Sequence, residues 1–346
     1  MYIESMELKD FRNYEFLSLR FDKGTNIFYG DNAQGKTNIL EAVYLCGTTK
    51  SHRGSKDREM IRFHENESHI KLRINKGGIS HRIDMHLKKN KAKELLGIVN
   101  IVFFSPEDLN IIKNGPGERR RFLDSELCQL NKIYLSDLFQ YNHILNQRNK
   151  LLKDIAQKES LKSTLDIWDE QLVRYGASVI RSRREFVREM NEVIQRIHSS
   201  ITGEKEQIEL IYEPNVEEEQ FLEILLKNRE KDFKFKNTSS GPHRDDMCVK
   251  INHIDIRKYG SQGQQRTAAL SLKLSEIHLV ERKIKDVPIL LLDDVLSELD
   301  VNRQNYLLES IKNIQTMITC TGLDEFVNSR FEINKLFKVV DGTIVN

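Results

Sequence analysis

The stretch Gly30–Thr37, with the sequence GDNAQGKT, is the part of the chain that decides the fold. It matches the P-loop pattern G-x-x-x-x-G-K-[ST], in which a glycine-bearing turn joins a strand to a helix and holds phosphate groups. Residues 25–29, TNIFY, predict the strand, and residues 38–45 show the helical spacing of apolar side chains. A chance turn before a helix is the alternative. Because both flanking elements suit a P-loop, we expect the chain to bind a nucleoside triphosphate.

Each part of this stretch has a predicted role. Gly30 and Gly35 allow the backbone to point its N–H groups at phosphate oxygens. Lys36 is expected to reach the β- and γ-phosphates and to assist catalysis, and the hydroxyl of Thr37 is expected to bind Mg²⁺. The predicted nucleotide-binding residues of the loop are Gly30, Asp31, Asn32, Ala33, Gln34, Gly35, Lys36 and Thr37.

The composition argues against several classes of protein. The 346 residues include 54 Lys and Arg and 52 Asp and Glu, so the net charge of +2 gives no global attraction to nucleic acid. No apolar run approaches the roughly 20 residues of a membrane span, and the first residues lack the pattern of a secretory signal. Four scattered cysteines without a C-x-x-C pair fit a reducing compartment better than a disulfide or zinc framework. We therefore predict a cytoplasmic protein.

Strand-like and helical stretches occupy different parts of the chain. Residues 70–74 and 82–87 alternate between polar and apolar side chains on either side of Gly77-Gly78, which predicts a hairpin. From Gly117 onward the spacing of apolar residues becomes helical, and strand character returns after about residue 206. The pattern predicts an α/β P-loop domain built from both ends of the chain, with an inserted α-helical lobe. The predicted boundaries are 1–114 and 206–346 for the P-loop domain and 115–205 for the lobe.

An apolar stretch that ends in two acids is the second candidate element. Residues 287–294, VPILLLDD, predict a buried strand that delivers carboxylates at its C-terminal end, as in a parallel sheet. Asp293 is expected to hold the Mg²⁺ that Thr37 also binds, and Asp294 to orient or deprotonate the attacking water. The alternative is a core strand that ends in a solvated acidic turn. The P-loop elsewhere in the chain favours the metal-binding interpretation.

A Ser-x-Gly turn stands before the helix that leads into this strand. Ser261 and Gly263 lie at the helix N-terminus, where unpaired N–H groups and the positive end of the helix dipole attract anions. One molecule does not need two anion sites for one triphosphate. In a head-to-tail pair, however, Ser261 and Gly263 of one molecule would close over the γ-phosphate bound by the other. An ordinary helix N-cap is the alternative interpretation.

These motifs together resemble the ABC-type ATPase heads of the SMC group. More narrowly, the chain resembles the RecF family of bacterial recombinational repair proteins, and the resemblance covers nearly its whole length. A short helical insertion in place of long coiled-coil arms fits that family over other SMC relatives. The stretches that carry the resemblance, besides the P-loop and the S-x-G-Q turn, are LKDFRNY (8–14), PEDL (106–109), GPGERRRFLD (115–124), SGPHRDD (240–246) and LLDDVLSELD (291–300).

The resemblance implies an ABC-type ATPase head, with a mixed sheet and flanking helices, that binds ATP and Mg²⁺ and has a weak, DNA-stimulated ATPase. It also implies an ATP-driven homodimer that clamps double-stranded DNA or junctions of single- and double-stranded DNA. Such a dimer would help recombinase loading at gaps, and slow hydrolysis would release it. RecR and RecO are the protein partners that the resemblance implies. Arg12 is a further candidate for nucleotide contact.

The chain departs from the usual ABC pattern at two places. Asp294 stands where many ABC ATPases have Glu, and residues 316–321, TMITCT, lack the histidine that is common at the switch position. Both differences leave the catalytic geometry open. Glu107 and Asp108 lie in the loop nearest to a Q-loop, and either of them would act there through water.

Local basic clusters are the direct sequence support for DNA binding. For each cluster a solvated or ion-paired surface is the alternative, and no arrangement suggests base readout. Three rival classes remain: a small-molecule kinase, which would not need the Ser261 turn, a transporter ATPase, and a structural SMC-like protein, which would need long arms. The clusters are Lys88, Lys89, Lys91 and Lys93; Arg119–Arg121; and Arg181, Arg183, Arg184 and Arg188.

Overall fold

The structure is a computed structural model that describes residues 1–88, 99–155, 158–323 and 332–345. The chain divides into two compact units. The first comprises Met1–Asp108 and Leu270–Asn346, and the second comprises Leu109–Ala269. Both ends of the chain therefore build one unit, and the middle of the chain builds the other.

The described elements are as follows in chain order. The strands are β1 (Tyr2–Phe11), β2 (Tyr14–Arg20), β3 (Thr25–Tyr29), β4 (Glu67–Lys76), β5 (Ile79–Lys88), β6 (Ile101–Phe104), β7 (Ile208–Glu213), β8 (Asp246–Ile251), β9 (Ile254–Asp255), β10 (Ile289–Asp293), β11 (Thr316–Cys320), β12 (Ile333–Val340) and β13 (Thr343–Val345). The helices are α1 (Lys36–Thr48), α2 (Asp57–Met60), α3 (Leu109–Lys113), α4 (Pro116–Leu130), α5 (Lys132–Ile155), α6 (Leu165–Thr202), α7 (Phe221–Lys227), α8 (Arg229–Phe235), α9 (Ile256–Tyr259), α10 (Gln262–Ile284) and α11 (Val301–Ser310).

A six-stranded sheet in the order β13-β12-β3-β11-β10-β6 forms the centre of the first unit. Strands β12, β3, β11, β10 and β6 pair in parallel, and β13 is antiparallel to β12. Parallel strands covered on both faces require continuous apolar runs, and Ile289–Leu292 of β10 is such a run, with all four side chains fully buried. The carboxyl ends of β3 and β10 therefore meet at the same edge of the sheet.

The second sheet of the first unit is antiparallel, in the order β2-β1-β4-β5. Strands β4 and β5 are the hairpin predicted around Gly77-Gly78. Helix α1 contacts β4 of this sheet and β6, β10 and β11 of the parallel one. One apolar cluster, which includes Ile39, Leu40 and Val43 of α1, joins the two sheets. The helix that follows the P-loop is thus held from two directions.

The second unit combines helices α3–α9 with a three-stranded antiparallel sheet, β7-β8-β9. Its longest helix, α6, has 38 residues and packs against α5 and β7. Leu172, Val179, Phe186 and Val193 recur every seven residues along α6, and all four are buried, as helical periodicity predicts.

This division by packing differs from the predicted division by helical content. Residues 206–269 cluster with the helices, because β7 packs on α6 and pairs with β8. Helical spacing of apolar residues cannot reveal a small sheet that completes a helical unit. The boundaries 1–114, 115–205 and 206–346 remain a prediction about folding domains, which limited proteolysis would test.

Within the described ranges, no helix combines the length and the apolar character that crossing a bilayer requires. No disulfide joins any two of the four cysteines, all of which lie in those ranges.

Candidate nucleotide-binding site

The P-loop connects β3 to α1 through a backbone that only certain residues adopt. Gly30 has a φ of 148° and Gly35 a φ of 112°, in the region that favours glycine. A Cβ atom at Gly30 would lie 2.4 Å from the carbonyl oxygen of Val339, and one at Gly35 would lie 2.6 Å from Asn13 Nδ2. Both glycines of the pattern are therefore required by conformation and by close packing. Helix α1 begins at Lys36, directly after this turn.

Lys36 folds back over the loop. Its Nζ donates hydrogen bonds of 2.8 Å to the carbonyl oxygens of Gly30 and Asp31, and its side chain is nearly buried. An ammonium group has three N–H donors, so these two bonds leave one donor for an incoming anion. The ammonium group therefore lies against the loop whose backbone is expected to hold the phosphates.

Gln34 anchors the loop to two distant turns. Its carbonyl oxygen accepts hydrogen bonds of 3.1 Å from Asn13 Nδ2 and from the backbone N–H of Gly342. Its side-chain Oε1 accepts a bond of 2.6 Å from the backbone N–H of Asp341. The hydroxyl of Tyr14 donates to the Gly35 carbonyl at 3.1 Å. The polar contacts of Gln34 thus fix the loop; Asp31, Asn32 and Ala33 lie in the same turn, with Ala33 at a φ of 64°.

The P-loop and the acidic strand end meet directly. Thr37 Oγ1 donates to Asp293 Oδ1 at 2.8 Å, although the two residues are 256 positions apart in sequence. Thr319, near the end of β11, donates to the same oxygen at 2.7 Å. Both hydroxyls use Oδ1, so Asp293 Oδ2 accepts no hydrogen bond from the described part of the chain. A hydroxyl beside an available carboxylate oxygen is the donor set that Mg²⁺ prefers, so these residues fit the ion.

Asp294 is held in an unusual backbone conformation. Its φ is 52°, and its N–H donates to Thr319 Oγ1 at 3.1 Å. Burial and the adjacent carboxylate of Asp293 raise the pKa of Asp294, while Lys36 opposes the shift. A carboxylate with a raised pKa accepts a proton more readily than an ordinary one, which suits the base role predicted for Asp294.

Thr319 is the residue that sequence reasoning missed. It binds Asp293 through its hydroxyl hydrogen and Asp294 through its hydroxyl oxygen, so it orients both acids. It occupies the strand in which the switch histidine was sought. Its position beside Asp293 follows from the parallel pairing of β10 with β11, in which Asp293 is the register partner of Thr319.

Arg12 is hydrogen-bonded to α1, the helix that follows the P-loop, and to neighbouring residues. It forms a two-bond ion pair with the buried Glu41 of α1, at 2.8 and 2.7 Å, and also donates to Glu59 O and Ser55 Oγ. Burial alone would raise the pKa of Glu41, but the hydrogen bonds from Arg12 and Ser51 lower it below its ordinary value. These bonds use four of the five N–H donors of Arg12. They indicate that Arg12 stabilises the position of α1. Contact of Arg12 with nucleotide remains a prediction.

Ser261 and Gly263 belong to the second unit and stand exposed at the start of α10. Ser261 Oγ accepts from the N–H of Gln264 at 3.2 Å, and Gln264 Oε1 accepts from the N–H of Ser261 at 3.1 Å. This reciprocal pair is a capping box. Ser261 is therefore an N-cap residue. Because Ser261 is also exposed, a partner molecule could reach it, and contact with a partner's γ-phosphate stays a prediction.

The Q-loop candidates lie just after β6. Asp108 Oδ2 accepts a hydrogen bond of 2.8 Å from the N–H of Ser105. Burial raises the pKa of Asp108 to about 6, although Lys273 and the Ser105 bond oppose the shift. Glu107 is exposed. The raised pKa distinguishes Asp108 from Glu107, but their role stays a prediction.

Most arginines of the predicted basic clusters are engaged with acids of the same unit. Arg119 is buried and bonds to Asp246 at 2.6 and 3.1 Å. Arg183 is buried between Asp124 and Asp245, at 2.7 and 2.9 Å. On the surface, Arg181 and Arg184 pair with Glu217 and Glu218, and Arg188 with Glu185 and Glu192. Arg119 and Arg183 are therefore poor candidates for DNA contact.

Of the lysine cluster, Lys89, Lys91 and Lys93 lie outside the described residues, and Lys88 pairs with Glu67.

The family comparison covers almost the entire chain. A family model described as the RecF/RecN/SMC N terminal domain matches residues 2–344. A protein of Lachnospira eligens, named DNA replication and repair protein RecF, is 63% identical over 361 residues that cover 100% of this chain and 99% of the relative. A protein of the same name from Agathobacter rectalis is 62% identical and covers 99% of both chains.

Solved structures agree with the sequence comparison. The structure of the recombination mediator protein RecF with ATP, in the RecFOR pathway, has a TM-score of 0.91 and 36% identity, covering 99% of this chain and 97% of the other. An Smc head domain from Pyrococcus furiosus has a TM-score of 0.51 at 17% identity, covering 99% and 95% of the two chains, and supports the ABC-type head fold alone. The chain belongs to the RecF family of the ABC/SMC-type ATPases.

Proposed function

We propose that this chain is an ATP-dependent DNA-binding protein of recombinational repair and replication. The observation that carries the proposal is the hydrogen bond between Thr37 and Asp293, which joins the P-loop to the acidic edge in one site. Relatives named as DNA replication and repair proteins, and a related structure that holds ATP, support the same function. A small-molecule kinase and a transporter ATPase do not account for this family membership.

ATP would bind along the P-loop. The backbone N–H groups before α1 and the positive end of that helix would hold the phosphates, and Lys36 would add its third donor. Mg²⁺, bound by Thr37 Oγ1 and Asp293, would neutralise charge on the phosphates. Asp294 would then accept a proton from the attacking water, with Thr319 keeping both acids in position. Because Asp294 is a methylene shorter than the usual Glu, we expect slow hydrolysis.

Two molecules would close head to tail around the nucleotide. In this arrangement Ser261 and Gly263 of one molecule contact the γ-phosphate held by the other, since their exposed turn lies at the positive end of the α10 dipole, which attracts an anion. ATP is then a ligand that binds the dimer better than the monomer and shifts the equilibrium by that difference. The closed pair would hold double-stranded DNA or a junction with single-stranded DNA.

Hydrolysis would end the closed state. Loss of the γ-phosphate removes the group that bridges the two molecules, so the dimer opens and leaves the DNA. A weak ATPase that DNA stimulates fits this cycle. The name of the RecFOR pathway, in which the related RecF acts, supports RecO and RecR as partners at gapped DNA. A cytoplasmic location remains a prediction from the cysteine content.

The test measures binding of a fluorescent duplex by anisotropy, with and without Mg-ATP, alongside dimerisation by analytical ultracentrifugation. The wild type should dimerise and bind tightly only with ATP. Ser261→Arg should abolish both effects while leaving ATP binding by the monomer intact, because the larger cation blocks the composite site. Ser163→Arg, which adds the same charge at an exposed position of the same unit, is the matched control. ATP-dependent dimers of the Ser261 variant equal to wild type would contradict the proposal.

A further inference from the structure

The hairpin of β4 and β5 presents two histidines and a glutamate on one face. His69 and His86 are direct partners in the antiparallel register, and Glu67 lies two residues from His69 along the same strand. The neighbouring residues Ser68 and Leu87 are buried, so the alternation of the strands places the three polar side chains on the opposite, partly exposed face.

The three side chains converge on one point. The two imidazole rings stack with their centroids 4.1 Å apart and their planes 16° apart. His86 Nε2 lies 3.0 Å from Glu67 Oε2, and His69 Nε2 lies 3.7 Å from Glu67 Oε1. One ligand atom from each residue falls within 4.8 Å of the others. In a tetrahedral site with bonds of about 2.0–2.2 Å, neighbouring ligand atoms are about 3.3–3.6 Å apart, so small side-chain rotations suffice.

We propose that Glu67, His69 and His86 form a binding site for Zn²⁺ or a similar borderline divalent ion. Two imidazoles and one carboxylate suit Zn²⁺, Co²⁺, Ni²⁺ and Cu²⁺, whereas Mg²⁺ and Ca²⁺ prefer oxygen ligands. This site is therefore chemically different from the Mg²⁺ position proposed at Asp293. Three protein ligands leave the fourth position to water or to a ligand from another molecule.

Lys88 regulates how well this cluster can take up a cation. Its Nζ lies 3.6 Å from Glu67 Oε2, and more than half of its side chain is exposed. The ammonium group competes with a metal ion for the carboxylate, but a flexible surface lysine can move away at low cost.

The direct test is a Zn²⁺ titration of the full-length, nucleotide-free protein by isothermal calorimetry. Excess Mg²⁺ in the buffer occupies sites made only of oxygen ligands. The wild type should bind one Zn²⁺, and His86→Ala should weaken binding roughly 10-fold or more, since even partners outside the coordination sphere contribute that much. Lys88→Gln should bind more tightly. His81→Ala, which removes an exposed histidine from the same strand, is the control and should bind as the wild type does.

A parallel titration with Co²⁺ identifies the ligand type. Imidazole and carboxylate ligands give weak visible bands, whereas thiolate ligation by a cysteine adds an intense near-ultraviolet band. Glu67→Gln provides a second variant if His86→Ala fails to fold. Absence of saturable Zn²⁺ binding, a thiolate band, or wild-type affinity in a folded His86 or Glu67 variant would overturn the proposal.

Discussion

In the first unit, Lys36, Asp293 and Asp294 stand at the carboxyl edge of a parallel sheet, above an apolar core. In the second unit, Arg148 and Arg183 are almost fully buried and bond to carboxylates. Arg148, for example, bonds to two buried aspartates at 2.6 and 2.7 Å. Arg148 and Arg183 thus hold parts of the second unit together, whereas Lys36, Asp293 and Asp294 of the first unit stand where a ligand is expected.

The difference changes how the family stretches are interpreted. Residues 115–124 and 240–246 are among the stretches that resemble the family, yet several of their charged side chains bind acids or arginines of the same unit. Arg119 reaches Asp246, and Asp124 shares Arg183 with Asp245. In these two stretches, the resemblance reflects how the second unit folds. Substitutions in the two units should therefore affect different measured quantities.

The largest effect is expected from Arg183→Met, which leaves the buried Asp245 without its cation. Breaking a buried ion pair from one side typically costs about 3–5 kcal/mol, so the free energy of unfolding should fall by that amount in urea titrations. Arg181→Met is the control, because this exposed arginine pairs with Glu218 at the surface and should change stability by less than about 1 kcal/mol. Equal losses in the two variants would contradict the stabilising role assigned to the buried arginine of the second unit.

Asp294→Asn, in contrast, should reduce ATP turnover and leave the free energy of unfolding unchanged or higher. We expect ATP turnover to fall about 100-fold or more, since a general base typically contributes at least that factor. Stability should stay the same or rise, because burial and Asp293 already raise the pKa of Asp294 and disfavour its charge. Asn also tolerates the positive φ.

The measurements are steady-state phosphate release and urea unfolding. Asp84→Asn, at an exposed position of β5, is the matched control and should leave turnover unchanged. A marked loss of stability in Asp294→Asn would show that this carboxylate supports the fold, as the acids of the second unit do.

Two groups, His243 of the second unit and Asp108 of the first, should respond to acid with opposite signs. Burial lowers the pKa of His243 to about 4, and its Nε2 donates to Thr238 O while its Nδ1 accepts from Tyr141 OH. Between its ordinary pKa and 4 the unfolded chain binds more protons at this site, so His243 reduces stability as the pH falls. Asp108 has a raised pKa, so the folded form binds more protons and this site adds stability as the pH falls.

Urea unfolding at pH 7 and pH 5 separates the contributions of His243 and Asp108 to the pH dependence of stability. Relative to the wild type, His243→Gln should lose less stability on acidification and Asp108→Asn should lose more. Each difference is expected to be about 1–2 kcal/mol, in line with a shift of one or more pKa units. The same pH dependence in all three proteins would contradict the assignment of these protonation states.

Thr319→Val should give the smallest effect, within the first unit. The valine keeps the shape but neither donates to Asp293 nor accepts from Asp294, so the Mg²⁺ concentration for half-maximal turnover should rise about 10-fold, as is typical for a lost outer ligand partner. Thr319→Ser retains the hydroxyl and should restore the wild-type value. An unchanged Mg²⁺ requirement in the valine variant would exclude this positioning role.

The sequence predicted the parts of the site that are local. Each of these parts is one uninterrupted stretch of sequence, so pattern and periodicity are enough to predict it. They are the P-loop, its flanking strand and helix, and the apolar strand that ends in Asp293. The position of Thr319 depends on which strands pair and in which register, which no local pattern contains. The burial of Arg119 and Arg183 depends on acids more than fifty residues away. The sequence signals for that burial were Asp124 and the acidic pair Asp245-Asp246, which lie in family stretches.

The contacts of Gln34 have a consequence for the order of synthesis. The residue that braces the P-loop through Gln34 Oε1, Asp341, follows it by 307 positions, and β3 is flanked in the sheet by β11 and β12, which also come late in the chain. Such long-range pairing is completed only after the intervening residues have been made. A nascent chain on the ribosome would carry the phosphate-binding motif for most of translation without its support. We therefore expect nucleotide capture to begin only when the chain is nearly finished.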